Sequence, residues 1–195
     1  MKTIYIERST GQGRGGDWVE SLDLDGVDRI VVGTGPGSFA GIRSAIAFAQ
    51  GYALGRPCKV LGLPSPCAVA AKVFSSQIGV GPRAMGSSRR LAVVGDARCG
   101  KLWIALFDGF NLERDVFQVD KAEISSAFGN FPGKPYCVVT SDEERIGNML
   151  EEVFGERYIG GQPPDADGLR LFAETNPSIL KPEPLPIYLN PAVRG

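Results

Sequence analysis

Apolar and polar positions alternate at the N-terminus, where Thr3–Glu7 reads TIYIE and predicts a short strand. Residues 8–16, RSTGQGRGG, hold no apolar side chain and predict a loop. The run 17–26, DWVESLDLDG, fits a strand or two turns of helix equally well. Val27–Val32 closes on a continuous apolar run, which predicts a strand buried on both faces. Ser38 then stands as N-cap of a helix reaching to about Leu54, with Gly55 at the C′ place and Pro57 beyond it. CKVLGL, residues 58–63, predicts the next strand, and the turn Pro64-Ser65-Pro66 launches a helix from Cys67 to about Phe74. Strand, helix, strand, helix is the order of an α/β layer with parallel strands.

Residues 75–90, SSQIGVGPRAMGSSRR, lose all periodicity. They predict a division into an N-terminal α/β subdomain over 1–78, a linker over 79–90 and a C-terminal α/β subdomain over 91–195, with the tail able to pack back on the first. LAVVGDA (91–97) and GKLWIALFDG (100–109), joined by a tight connection, read as a β-hairpin. RDVFQVD (114–120) is a candidate third strand, followed by a short helix Lys121–Phe128 and a strand Tyr136–Thr140. Ser141 reads as the cap of a helix with Asp142, Glu143 and Glu144 in its first turn, a stripe of Ile146, Met149, Leu150 and Val153, and Gly155 at its end. DADGLRLFAET (165–175) predicts a last helix, and the proline-punctuated tail reads as extended.

Composition narrows the chemistry. A chain of 195 residues, 43% hydrophobic and 22% charged, is that of an ordinary globular protein. A net charge of −1 gives no global field to draw nucleic acid, so a partner would have to supply phosphate contacts. No stretch resembles a signal-peptide core or a membrane span, and four widely spaced cysteines without CxxC read as thiols in a reducing compartment, which together predict a cytoplasmic protein. There is no histidine. That excludes histidine acid–base catalysis, a Ser-His-Asp triad and an HExxH zinc site, and no metal site or resident cofactor is expected.

Residues 33–43, GTGPGSFAGIR, form a glycine loop between a strand and a helix. Gly35, Gly37, Ser38 and Phe39 could offer backbone N–H groups to an anion. The loop nevertheless lacks the GK[ST] of a Walker A motif, since Gly41 precedes Ile42-Arg43. It also fails the GxGxxG dinucleotide pattern at Ser38, and no Asp or Glu occurs between Asp28 and Asp96 to hold a ribose. Pro36-Gly37 instead suits a type II turn, and Gly41 and Gly51 thin the helix for close approach by a neighbour. The helix itself carries no charge over Ser44–Gly55. Ile42, Ile46, Ala49 and Ala53 lie near one side, and Phe39, Ala45, Phe48 and Tyr52 near another. One side can cover a sheet; the other is expected to face a second polypeptide, or else the second domain.

The stretch GTGPGSFAGIRSAIAFAQGYALG resembles the TsaB (YeaZ) family of bacterial tRNA threonylcarbamoyladenosine biosynthesis proteins, whose pattern is GPGSFTGLR followed by a small-residue helix ending GLALG. Ala40 replaces the family threonine. KVLGLPSPCAVAA, LAVVGDARCGKLWIALFD and the ending PLPIYLNPAV extend the likeness, with Lys101 where the family has an acid. The resemblance implies a degenerate actin-like/Hsp70-like ATPase fold of two RNase H-like subdomains. It implies a non-catalytic subunit that supports a TsaD-type paralogue, alongside a TsaE-type ATPase, in making t6A at position 37 of tRNA, with tRNA met only indirectly. It further implies homodimers through the same helix, placing the interface on Phe39, Ile42, Ala45, Ile46, Ala49, Tyr52 and Ala53. The family opens on a strand like ILAIDTS, then a second strand and a longer helix; only 32 residues precede Gly33 here, so the first subdomain is expected to be truncated. Two other readings stand beside this one. A nucleotide hydrolase would use the 33–39 loop with Asp96 as its carboxylate, and a self-associating homologue would do without the paralogue.

Overall fold

The computed structural model describes residues 1–10, 17–76, 89–127 and 136–189. Elements follow in the order β1 (Lys2–Ile6), α1 (Asp17–Glu20), β2 (Val27–Gly33), α2 (Phe39–Ala53), β3 (Lys59–Leu63) and α3 (Ser65–Ser76). Then come β4 (Arg90–Arg98), β5 (Lys101–Asp108), β6 (Asn111–Asp120), β7 (Cys137–Thr140), α4 (Glu143–Phe154), β8 (Tyr158–Gly161) and α5 (Ala166–Thr175). Two units result: Met1–Ala68 with Pro164–Ile187, and Val69–Pro163 with Tyr188–Gly195. The first unit's boundary falls at Ala68, inside α3; of the expected linker, 79–88 lies outside the described residues.

In the first unit three strands pair in the order β1-β2-β3, all parallel, with Ile4 opposite Ile30 and Val32 opposite Gly62. Parallel neighbours need crossovers, and α2 supplies the one between β2 and β3. Ile6, Ile30 and Val32 pack with Ile42, Ala45, Ile46 and Ala49 of α2 in one buried cluster. Burying each large aliphatic side chain contributes about 1.5–3 kcal/mol, so this face holds α2 to the sheet. Helix α5 packs on β1 and β2. Gly168 lets α5 lie against the Ala68 carbonyl, where any Cβ would collide. The chain then returns along β3: Gly62 and Lys181 exchange backbone hydrogen bonds of 2.8 and 3.0 Å, and Ile187 N donates to Thr34 O at 2.9 Å. These contacts place α5 and the following segment in the first unit.

The second unit carries a sheet ordered β6-β5-β4-β7-β8. β4, β5 and β6 form an antiparallel meander, while β7 pairs parallel with β4, and β8 with β7. Ala92, Val94, Leu102, Ile104 and Leu106 pack with Ile146, Leu150 and Phe154 of α4.

Several local expectations shift. Residues 17–20 form a short helix, and Trp18 explains why: its ring meets Phe48 edge-on, with centroids 5.2 Å apart. Lys121–Glu123 is a 3-10 turn in place of the longer helix, whose last residue, Phe128, lies outside the described residues. Asp142, not Ser141, is the N-cap of α4, and its carboxylate accepts from Asp96 N at 2.9 Å instead of capping the helix. Strand β8 was not anticipated, because YIGG offers almost no apolar pattern.

Truncation of Ile46 to Ala should cost about 3 kcal/mol in urea unfolding, since it opens a cavity under α2. Ala47→Glu, one residue on but exposed, should change stability by less than about 0.5 kcal/mol. Equal effects would place the core on the wrong side of this helix.

Candidate functional site

The glycine loop sits at the C-terminal end of β2, where α/β sheets bind ligands. Its donors are largely occupied within the chain. Thr34 N donates to Leu63 O at 2.9 Å, Gly35 N to Ser65 Oγ at 3.0 Å and Ser38 N to Ser9 O at 2.6 Å. Pro36 has no N–H to offer. Ser38 Oγ in turn caps α2 by accepting from Gly41 N at 3.4 Å, the N-cap role its sequence position predicts. Of the anion-loop residues Gly35, Gly37 and Ser38, two therefore spend their amides on Ser65 and Ser9.

The glycines answer a packing requirement. A Cβ on Gly37 would collide with the Ser9 carbonyl, and one on Gly41 with the Arg8 carbonyl. Gly35 and Gly37 also take φ of +87° and +156°, in the region that favours glycine. Gly33 abuts the carboxyl of Glu7, a residue that belongs to no motif of the sequence. Glu7 Oε1 accepts from Ser9 N at 2.7 Å, while buried Oε2 has no hydrogen-bond partner among the described residues. Burial pushes this carboxyl above the ordinary range, against the opposing pull of the Ser9 and Ser65 hydroxyls and the Ser9 and Arg8 amides around it.

Helix α2 divides its residues sharply. Ile42, Ala45, Ile46 and Ala49 are buried in the first unit's core, Tyr52 and Ala53 are half-buried, and Phe39 is 56% exposed. The second apolar side, with Phe48 and Tyr52, is covered by α1 and the residues after it: Trp18 packs on Phe48, and Tyr52 Oη donates to Leu24 O at 2.7 Å. The Arg8 and Arg56 guanidinium groups lie over the Trp18 and Tyr52 rings at 5.1 and 4.5 Å. What α2 leaves exposed is a thin ridge, Ala40, Ser44, Ala47 and Gly51, flanked by Phe39, Arg43, Gln50 and Leu54. Leu54 is 78% exposed. Among the described residues no atom comes within 4 Å of a Cβ position on Gly51, so their packing gives no reason for a glycine there.

Charged clusters in the second unit pair among themselves. The Asp96 carboxylate, 8% exposed, has Lys121 at 3.4 Å, Arg98 at 3.5 Å and Arg145 at 3.8 Å. Tyr136 donates to Glu113 at 2.7 Å with the Arg90 guanidinium 4.1 Å over its ring. Burial and the Glu113 carboxylate push its phenol up to about 12, too high for a base at neutral pH. Among the described residues no group of His, Cys, Asp and Glu could hold a metal ion, and no helix is long and apolar enough to cross a membrane.

The family model for TsaD, tRNA N6-adenosine threonylcarbamoyltransferase, matches residues 20–94, a span running from the end of α1 through the glycine loop and α2 into β4. No curated protein matches the sequence. Among solved structures, YeaZ from Pseudomonas aeruginosa superposes with a TM-score of 0.69 at 18% identity, covering 95% of this chain and 99% of that one. The chain has a YeaZ-like fold. A second structure, titled an uncharacterized protein with similarity to peptidase YEAZ from Pseudomonas aeruginosa, gives 0.67 at 17% identity over 96% of this chain and 99% of its own. The expected α/β class stands, with a YeaZ-like fold over nearly the whole chain.

Gly41→Ala should destabilise by about 2 kcal/mol despite alanine's better helix propensity, because the backbone of Arg8 blocks the methyl group. Gly51→Ala, in open space, should stabilise by about 0.5–1 kcal/mol. Chemical denaturation of both variants separates a packing glycine from one the isolated fold does not need.

Proposed function

We propose that the chain is a non-catalytic, TsaB-like subunit of the machinery that makes t6A in tRNA, and that it binds a TsaD-type paralogue through α2. The observation that carries this reading is the exposed ridge of α2, small and uncharged at its centre, within the span matched by the TsaD family model. A neighbouring helix can approach such a ridge closely, and Phe39 and Leu54 at its two ends provide apolar anchors. The docking set is then Phe39, Ala40, Ser44, Ala47, Gly51 and Leu54, while Ile42, Ala45, Ile46 and Ala49 support it from beneath. The absence of histidine and the occupied loop amides favour a binding role over hydrolysis. Contact with a TsaE-type ATPase, homodimerisation through the same ridge and a cytoplasmic location belong to this proposal.

The purified chain should co-elute with the TsaD-type paralogue of the same organism. Ala47→Arg should weaken that complex by about 100-fold or more while leaving the thermal unfolding of the free chain unchanged. Cells lacking the gene should lose t6A from their tRNA. A complex indifferent to Ala47→Arg would move the interface off α2, and absence of any complex together with normal t6A would overturn the function.

A further inference from the structure

We propose that Glu7 is a proton-operated latch on the turn that begins α2. In its neutral form the carboxyl fills the space over Gly33 and fixes the path of Arg8-Ser9; when it ionises, that segment and the first turn of α2 loosen together.

The geometry supplies each link. Oε2 is buried against Gly33 of β2 without a hydrogen-bond partner among the described residues, and Oε1 accepts from Ser9 N at 2.7 Å. The groups facing the carboxyl are Ser9 and the Arg8 amide from the following turn, Ser65 from α3 and Gly33 from β2. The adjacent cation, Arg8, has its guanidinium 5.1 Å over the Trp18 ring. A carboxylate in this place would leave one buried oxygen without a donor, and a charge so buried must be solvated or protonated. The route to water is rotation away from Gly33, which breaks the Ser9 N bond. Ser9 does not move alone. Its carbonyl accepts from Ser38 N at 2.6 Å, and Ser38 O accepts from Ile42 N at 3.0 Å. Gly37 and Gly41 are closed onto the carbonyls of Ser9 and Arg8. The displacement is therefore delivered to residues 37–42, at the Phe39 end of the exposed ridge.

The sign follows from the raised value in the folded state. The latch is fully closed below the ordinary glutamate range near about 4.3 and opens as pH rises through the folded-state midpoint. This device does not depend on which partner α2 meets.

Carboxyl-carbon NMR of the glutamate-labelled full chain, with amide exchange of Ser38 and Ile42 over the same pH series, tests it. Glu7 should titrate above about 4.3. Between about 4.3 and that midpoint the opening constant at Ser38 and Ile42, corrected for intrinsic exchange, should rise by up to about tenfold per pH unit and then level off. Glu7→Gln should abolish the rise, and Val139 in the second unit should show none in either protein. An ordinary Glu7 midpoint, a flat profile in the wild type, the same slope in Glu7→Gln, or a parallel rise at Val139 would each overturn the latch. Should Glu7→Gln fail to fold, coincidence of the carboxyl midpoint with the break in the Ser38 profile decides the matter in the wild type alone.

Discussion

The carbonyl groups of Arg8 and Ser9 lie where side chains at positions 41 and 37 would be. This close approach brings the end of β1, the turn after β2 and the start of α2 into backbone contact. It sets the spacing of glycines at 33, 37 and 41, because each faces the segment Glu7–Ser9. It also sets the fate of the loop's donors, with Ser38 N bonded to Ser9 O and Gly35 N to Ser65 Oγ. A phosphate cradle needs open amides at a helix N-terminus. Here a second stretch of backbone takes the place an anion would take, and the same glycines that suggest a ligand are what admit it.

The two units repeat one arrangement. β1-β2-β3 and β4-β7-β8 are each three parallel strands, with α2 and α4 crossing from the second strand to the third. An acid follows or ends the first strand in both: Glu7 after β1, Asp96 within the last residues of β4. Both acids are tied to the turn that leads into the crossover helix, Glu7 through Ser9 to Ser38 and Asp96 through its amide to Asp142. Their surroundings differ in kind. Asp96 has Arg98, Lys121 and Arg145 within ion-pairing distance. Glu7 is faced by hydroxyls, amides and a glycine, and burial favours its neutral form. The second unit continues from β4 into the β5–β6 meander; in the first, the described residues between β1 and β2 include only α1.

Much of this was legible along the chain, for reasons that differ by element. The strand at 27–33 and the helix from Ser38 to Ala53 announce themselves through an apolar run, an N-cap and a C′ glycine, and Gly55 indeed takes φ of +71°. Strand β8 is held by pairing with β7, and YIGG carries no pattern to reveal a tertiary effect. Helix α1 is equally silent, since its four residues form around the contact of Trp18 with Phe48. Glu7 reads as the polar end of an alternating strand, and nothing in sequence distinguishes a solvated acid from one closed over by a glycine 26 residues later.

The apolar character of α2 illustrates where composition misleads and geometry corrects. A helix without charge over twelve positions must be covered widely, and the large residues suggested the covered and docking faces. The structure keeps the first side on the sheet and covers the second within the same unit. Ile42, Ile46, Phe48 and Tyr52 turn toward the sheet and toward Trp18, so the bulky side chains are already accounted for within the first unit. What remains outward is Ala40, Ser44, Ala47 and Gly51, residues too small to contribute much burial of their own. Their value lies in what they do not occupy. A ridge of hydrogen and methyl groups lets an opposing backbone come near, so that dispersion contacts and the flanking Phe39 and Leu54 act at short range. Gly51 sharpens the point: mid-helix glycine costs about 1 kcal/mol relative to alanine, and no atom of the described residues stands over it. Gly41 repays that cost through Arg8, and Gly51 has no such contact among the described residues, which is the expected signature of a surface shaped for another chain.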